Sequence, residues 1–261
     1  MKELRFGACA GPGDIAAASR AGCDYVEMNL DDVMAMNAGE YREMAAEMKD
    51  CNLYAEVVTT APGRKATIIG EGVSAKAIHA TLNCDFEAAR ALGARLLVFE
   101  APQLQQLPEG FDSAVAWRQL GNFARMVQSC AADHGICAAL MPLRRNAGRF
   151  LNHVSEAAML SAILQLDRVG VAASSYNMAM EGETAATLER VGSRLWHVRM
   201  SNVLGNRPPH RGDGEDYAAF FRALWAVNYA GCVSCEARFG DFEGECAAAM
   251  SCLREAAKGP D

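Results

Sequence analysis

Positive charge is in short supply in this chain: 25 Lys and Arg stand against 32 Asp and Glu, for a net charge of −7. Neutralising a phosphate backbone takes clustered cations, so no nucleic acid is expected as a partner. Long apolar runs are missing too. None approaches the roughly 20 residues that cross a bilayer, and the stretch before Gly11-Pro12-Gly13 is too short for a secretory signal. The expectation is a cytoplasmic chain with no membrane partner. No linker, low-complexity tract or internal repeat breaks it up. Gly11-Pro12-Gly13 is not followed by a lysine and Ser/Thr at phosphate-binding-loop spacing, so it reads as a tight connection.

Cysteine is plentiful, at ten residues. The ten are scattered through a chain long enough to fold without staples, and most sit in apolar runs, so they read as reduced core residues. Cys232 and Cys235 have C-x-x-C spacing, but Gly231-Cys232-Val233-Ser234-Cys235-Glu236 reads as a strand. Residues three apart on a strand face opposite ways, which makes the pair a poor redox or zinc motif.

At 261 residues, with 51% hydrophobic and 22% charged residues, the chain has the size of one (β/α)8 barrel, about 250 residues. Short apolar strands alternate with amphipathic segments throughout, the pattern of a parallel sheet built from βα units. Eight strands are expected, at 4–8, 25–29, 53–58, 95–100, 136–141, 168–174, 195–201 and 232–236. The expected architecture is therefore a parallel, eight-stranded α/β TIM barrel, one domain over 1–261. Phe123, Met126, Val127, Cys130 and Ala131 recur at helical spacing, with Gly135 as the stop. Tyr217, Phe220, Phe221, Leu224 and Trp225 repeat that spacing after Asp216, a candidate N-cap. Both stripes should pack on the outside of the barrel.

Chemistry in such a barrel sits at the C-terminal ends of the strands. In Leu195-Trp196-His197-Val198-Arg199-Met200-Ser201, alternation puts Trp196, Val198 and Met200 toward the helices and His197, Arg199 and Ser201 inside. Ser234 and Glu236 point inward by the same rule. Glu27, Glu56 and Glu100 could do so as well, although a one-residue slip in register reverses each assignment and rim glutamates also cap helices or pair with arginines. Arg144, Arg145 and Arg149 after the fifth strand could grip an anion or lie solvated. Gly212-Asp213-Gly214 reads as a turn.

Several segments together resemble the xylose-isomerase-like barrels, the group of sugar phosphate isomerases and epimerases. Ala21-Gly22-Cys23-Asp24-Tyr25-Val26-Glu27 is similar to that family's second strand, and Ala91-Leu92-Gly93-Ala94-Arg95-Leu96-Leu97-Val98-Phe99 to its fourth. The stretch 135–143 followed by Phe150-Leu151-Asn152 is similar to its fifth strand and loop. The most specific match runs from His197 through Gly212-Asp213-Gly214 and Asp216-Tyr217 to Asn228-Tyr229-Ala230-Gly231 and Glu236. The resemblance implies a divalent cation at the barrel mouth and two glutamates exchanging protons with a sugar carbon. It also implies that most of this site is changed here. The fifth-strand glutamate falls on Met141, the sixth-strand aspartate and nearby histidine fall on Ser174 and Asn177, and the seventh-strand ligand falls on Arg199. Only Glu236 is retained. An arginine cannot ligate a metal while protonated, and one glutamate does not hold a hard divalent ion. No metal or other cofactor is therefore expected, with Arg199 in the cation's place.

The leading expectation is a metal-independent isomerase or epimerase of a sugar, keto-sugar or related polyhydroxy compound. Glu236 would be the base at a carbon next to a carbonyl, Arg199 would stabilise the enolate, and His197 or Glu100 would be the second proton carrier. Glu27, Met141, Ser174, Asn177 and Arg207 are candidate substrate contacts. The alternatives are a catalytically silent sugar-binding barrel or accessory subunit, and an isomerase whose metal has moved to Glu236 with members of the set Glu27, Glu56, Glu100 and His197. A DNA-repair endonuclease of the same superfamily would need a histidine-rich multi-zinc cluster, and His79, His134, His153, His197 and His210 are too dispersed for one. The sequence leaves a homo-oligomer open.

Overall fold

A computed structural model describes residues 4–61, 66–100, 107–148 and 150–258. Eight parallel strands close into a barrel in chain order: β1 (Arg5–Cys9), β2 (Tyr25–Asn29), β3 (Val57–Thr60), β4 (Leu96–Phe99), β5 (Cys137–Leu140), β6 (Val169–Ser174), β7 (Leu195–Met200) and β8 (Cys232–Cys235). The outer layer comprises α1 (Ile15–Arg20), α2 (Leu30–Met34), α3 (Ala38–Asp50), α4 (Ala75–Ala91), α5 (Ser113–His134), α6 (Val154–Ile163), α7 (Ser175–Met180), α8 (Ala185–Val191), α9 (Tyr217–Ala226) and α10 (Phe242–Ala256).

Local signals set the helix ends as expected. Gly135 ends α5 at φ 68°, a left-handed position that glycine takes without a Cβ clash. Asp216 caps α9, its carboxylate accepting from the Ala219 N–H at 2.9 Å. Phe123 and Phe221 are buried between barrel and helices. Among the described residues no helix is long and apolar enough to cross a membrane.

Strand parity divides the core in two. Val26, Met28, Val58, Leu97, Val171, Val198 and Val233 face the helices, whereas Tyr25, Val57, Leu96, Val98, Ala139, Met141 and Ala172 pack inside the barrel. Cys232 packs against the inner cluster and Cys235 lies in the outer one, so the C-x-x-C pair is split across the sheet.

Two local expectations are corrected. The third strand begins at Val57 rather than at 53, because Leu53 and Ala55 are spent on the outer core and the ladder with β2 starts at the Glu27–Val57 pair. Glu56 therefore precedes the strand at the N-terminal end of the barrel, where Arg5 Nη1 donates to it and the Cys232 thiol donates at 3.8 Å. It is far from any mouth site. Trp196 does not join Val198 and Met200 on the helix side. The register between β6 and β7 shifts at Val171/Ala172, pairing Val171 with Leu195 but Ala172 with His197. The extra residue turns Trp196 against the inner cluster. Gly170 makes room for it: a Cβ there would lie 2.2 Å from the indole Cδ2.

Candidate functional site

The C-terminal ends of β1, β2, β3, β4, β7 and β8 surround a cavity of about 250 Å3 whose lining includes Glu27, Asn29, Thr59, Glu100, Arg199 and Glu236, together with Cys9 and Asp32. Parity places each side chain. Glu27 shares the inner face of β2 with Tyr25, whose hydroxyl lies 2.7 Å from Ser234 Oγ. Thr59 follows Val57 inward, and Glu100 follows Leu96 and Val98 just beyond β4. Glu236 is the first residue after β8, its N–H donating to the Met200 carbonyl at 3.1 Å.

Arg199 stands at the centre and is buried, with 3% of its side chain exposed. A guanidinium carries five N–H donors, and the protein takes all five. Nε donates to Glu27 Oε1 at 2.9 Å, and Nη2 donates to that oxygen at 2.6 Å and to Thr59 Oγ1. Nη1 donates to Glu236 Oε1 at 3.0 Å and to Glu100 Oε2. Thr59 Oγ1 donates in turn to Glu27 Oε1 at 2.8 Å, and His197 Nε2 lies 2.8 Å from Glu27 Oε2. A carboxylate facing His197 can only accept, so Nε2 carries the hydrogen, while Nδ1 is buried with no partner.

The three carboxylates feel different fields. Burial alone would raise Glu27, but Arg199 and His197 outweigh it and hold the carboxyl well below the usual range. Burial pushes Glu236 up to about 7, with Glu100 and Glu27 adding to the shift and Arg199 opposing it. Arg199 loses by burial but is held well above its ordinary value by Glu100, Glu236 and Glu27. Cys9 is raised by burial and by Glu27, so it is a neutral thiol.

The residues expected from sequence divide into two groups. Glu27, Glu100, Arg199 and Glu236 come together around the cavity, with His197 beneath Glu27, fully buried and off its lining. Met141 packs in the inner cluster. Ser174 accepts from the Asn177 N–H at 3.4 Å as the cap of α7, and Asn177 accepts from Arg144 Nη1 at 3.2 Å while donating Nδ2 to the Pro142 carbonyl at 3.4 Å. Neither lines the cavity. Arg207 is exposed beside a separate cavity with His210 and Arg238. Arg145 pairs with Glu181 at 3.2 Å, and Arg149 lies outside the described residues. Sequence reasoning missed Cys9, Asn29, Thr59 and Asp32. The first three sit two residues from Gly7, Glu27 and Val57, so strand parity could have found them. Asp32, on the first turn of α2, carries no such signal.

A hard divalent ion needs several oxygen or nitrogen donors with lone pairs open toward one point. Here a guanidinium occupies that point and directs N–H groups at the carboxylate oxygens. Among the described residues no group of three or more His, Cys, Asp and Glu side chains is placed to hold a metal. The arrangement does not fit the divalent cation that the family resemblance implies.

The fold has many solved counterparts. A D-psicose 3-epimerase from Clostridium cellulolyticum H10 superposes with a TM-score of 0.81 at 17% identity, covering 98% of this chain and 99% of that one. A 3-keto-D-glucoside 4-epimerase from E. coli gives 0.80 at 20%, covering 97% and 100%. A protein described as an AP endonuclease, family 2, from Brucella melitensis gives 0.78 at 23%, covering 99% and 100%. At these identities the likeness establishes the fold. A comparison with curated protein sequences found no match. The model of the xylose isomerase-like TIM barrel matches residues 15–256, nearly the whole chain, and the chain belongs to that family.

Proposed function

We infer that the barrel mouth moves protons at a carbon next to a carbonyl in a sugar, keto-sugar or related polyhydroxy compound, as an isomerase or epimerase, without a divalent metal. The observation that carries this reading is Arg199 Nη1 bridging Glu236 and Glu100 at the cavity wall. A carboxyl poised near 7 serves as base and acid at neutral pH. As carboxylate, Glu236 takes the proton from carbon, and the C–H electrons pass into an enolate. In isomerisation Glu236 gives the same proton back to the neighbouring carbon; in epimerisation Glu100, entering in its protonated form, gives its proton to the opposite face and regains one from solvent while Glu236 releases the one it took. Because all five Arg199 donors are engaged, its charge offsets the enolate through its field rather than through a free N–H. His197 is a positioning residue, holding Glu27 and through it Arg199. Ser174, Asn177 and Arg207 would meet only a substrate extending beyond the cavity. Several solved barrels of this shape are described as sugar epimerases, which supports the substrate class.

The same saturation of Arg199 favours a second reading, a catalytically silent sugar-binding barrel or accessory subunit. Incubation with a panel of ketoses and 3-keto-glycosides in heavy water with excess chelator, followed by proton NMR, separates the two. Deuterium entering next to the carbonyl, and lost in Glu236→Gln, supports the enzyme. Saturation-transfer signals without exchange support the silent barrel. Exchange that appears only on adding manganese(II) overturns metal independence.

A further inference from the structure

We propose that Cys23 and Cys246 form a peroxide-sensitive dithiol that closes to a disulfide across the seam of the barrel. All ten cysteines are free, yet these two sulfurs lie 3.6 Å apart, in contact, from positions 223 residues apart in sequence. A disulfide spans about 2.05 Å, so closure moves the sulfurs together by about 1.5 Å, within the reach of small side-chain rotations. Cys23 sits between α1 and β2, and Cys246 is in the second turn of α10.

The two positions are held in register by a neighbour. Arg254, two turns further along α10, donates Nη2 to the Gly22 carbonyl at 2.8 Å and to Asp24 Oδ1 at 2.9 Å, bracketing Cys23 on both sides. The backbone around Cys23 is thus tied to the helix that carries Cys246. Approach is open from one side. Cys23, Asp24 and Arg254 line a cavity of about 1000 Å3 that opens to solvent at the N-terminal end of the barrel.

The chemistry is divided between the pair. Either sulfur can donate in the contact, but Cys23 lines the open cavity with the Arg254 guanidinium lowering its thiol pKa, whereas Cys246 is fully buried. Cys23 is therefore the attacking sulfur. It displaces hydroxide from hydrogen peroxide, breaking the O–O bond and giving a sulfenic acid, and the hydroxide leaves as water with the proton released by the thiol. Cys246 then attacks that sulfur, the S–O bond breaks, and a second water leaves with the Cys246 proton. Two thiols are oxidised and one peroxide is reduced to two waters.

The bond would tie the turn between α1 and β2 to α10, the helix that packs on α1, β1 and β8. Cross-linking so long a loop restricts the unfolded chain strongly, so the oxidised protein should melt higher by at least about 5 °C.

The test is to treat the reduced full chain with a small excess of hydrogen peroxide, block the remaining thiols with N-ethylmaleimide under denaturing conditions, and map tryptic peptides. The expected result is a cross-linked pair lighter by two hydrogens that joins Cys23 to Cys246. Fragmentation must assign the bond to Cys246 rather than to Cys252, which shares its peptide. The higher melting temperature should vanish on adding a thiol reductant and be absent in Cys246→Ala. Alkylation of both Cys23 and Cys246 after peroxide, with oxidation confined to the exposed Cys84, would overturn the proposal, as would a bond from Cys23 to Cys235 or Cys252. The mapping uses the natural chain, so it stands even if a variant folds poorly.

Discussion

Arg199 on β7 and Glu27 on β2 meet across the barrel through two bonds to one oxygen, Nε at 2.9 Å and Nη2 at 2.6 Å from Glu27 Oε1. This buried pair anchors the site, and Thr59, His197, Glu100 and Glu236 attach to it. Removing one member of a buried ion pair leaves an uncompensated charge, which costs about 3–5 kcal/mol. Arg199→Ala should lower stability by that amount in urea titration. Glu27→Ala should do the same, and the double variant should cost clearly less than the sum, because each single change strands the other group.

Substitution of Arg199 also tests the guanidinium as the occupant of the cation's place. Arg199→His removes the permanent charge and adds an imidazole beside Glu27, Glu100 and Glu236. Isothermal calorimetry with manganese(II) should show no saturable binding to the natural chain and measurable binding to Arg199→His. Near-stoichiometric binding to the natural chain would rule out Arg199 as the substitute for the cation.

Glu236→Gln keeps an oxygen to accept from Arg199 while removing the proton carrier, so proton exchange with substrate should fall by at least about 100-fold with the fold intact by circular dichroism. If the exchange rate stays the same, Glu236 is not the base.

The same variant has a signature in stability. The Glu236 carboxyl is raised from an ordinary 4.5 to about 7 in the folded protein, so between those values the native state holds more proton than the unfolded chain. Its contribution therefore declines as pH rises from about 4.5 and levels off above about 7, a loss of roughly 3 kcal/mol at most. Glu27 acts with the opposite sign: its lowered value gives stability that is present above the ordinary carboxylate range and lost as pH falls. Glu236→Gln should melt close to the natural chain at pH 5 and above it at pH 8, with differential scanning calorimetry at both values as the check.

Gly170→Ala tests the shift between β6 and β7. A Cβ at 2.2 Å from the Trp196 indole forces the ring to move, and overpacking of this kind costs typically 1–3 kcal/mol. Chemical denaturation of Gly170→Ala should show the loss, and Trp196→Leu in the same chain should recover much of it.

Much of this architecture is legible locally. Strand alternation has a period of two and helix stripes a period of 3.6, so the eight βα units, the outer-layer aromatics and the inward aim of Glu27, Arg199 and Glu236 follow from residues a few positions apart. The failures have a common origin in pairing. The apolar run at 53–58 looks like one strand, but the ladder with β2 begins at Val57, and that start places Glu56 at the opposite end from Glu27. Trp196 obeys the alternation rule in sequence and breaks it in the barrel, because the register with β6 shifts by one residue.

The sequence by itself determined that this is an eightfold parallel barrel with polar groups at its strand ends, since amphipathic patterning is a property of neighbouring residues. Only the tertiary structure decided which of those groups meet. Closure brings Arg199 to Glu27 over 172 residues and Cys23 to Cys246 over 223, and no local pattern encodes a contact whose geometry depends on the register of every strand between.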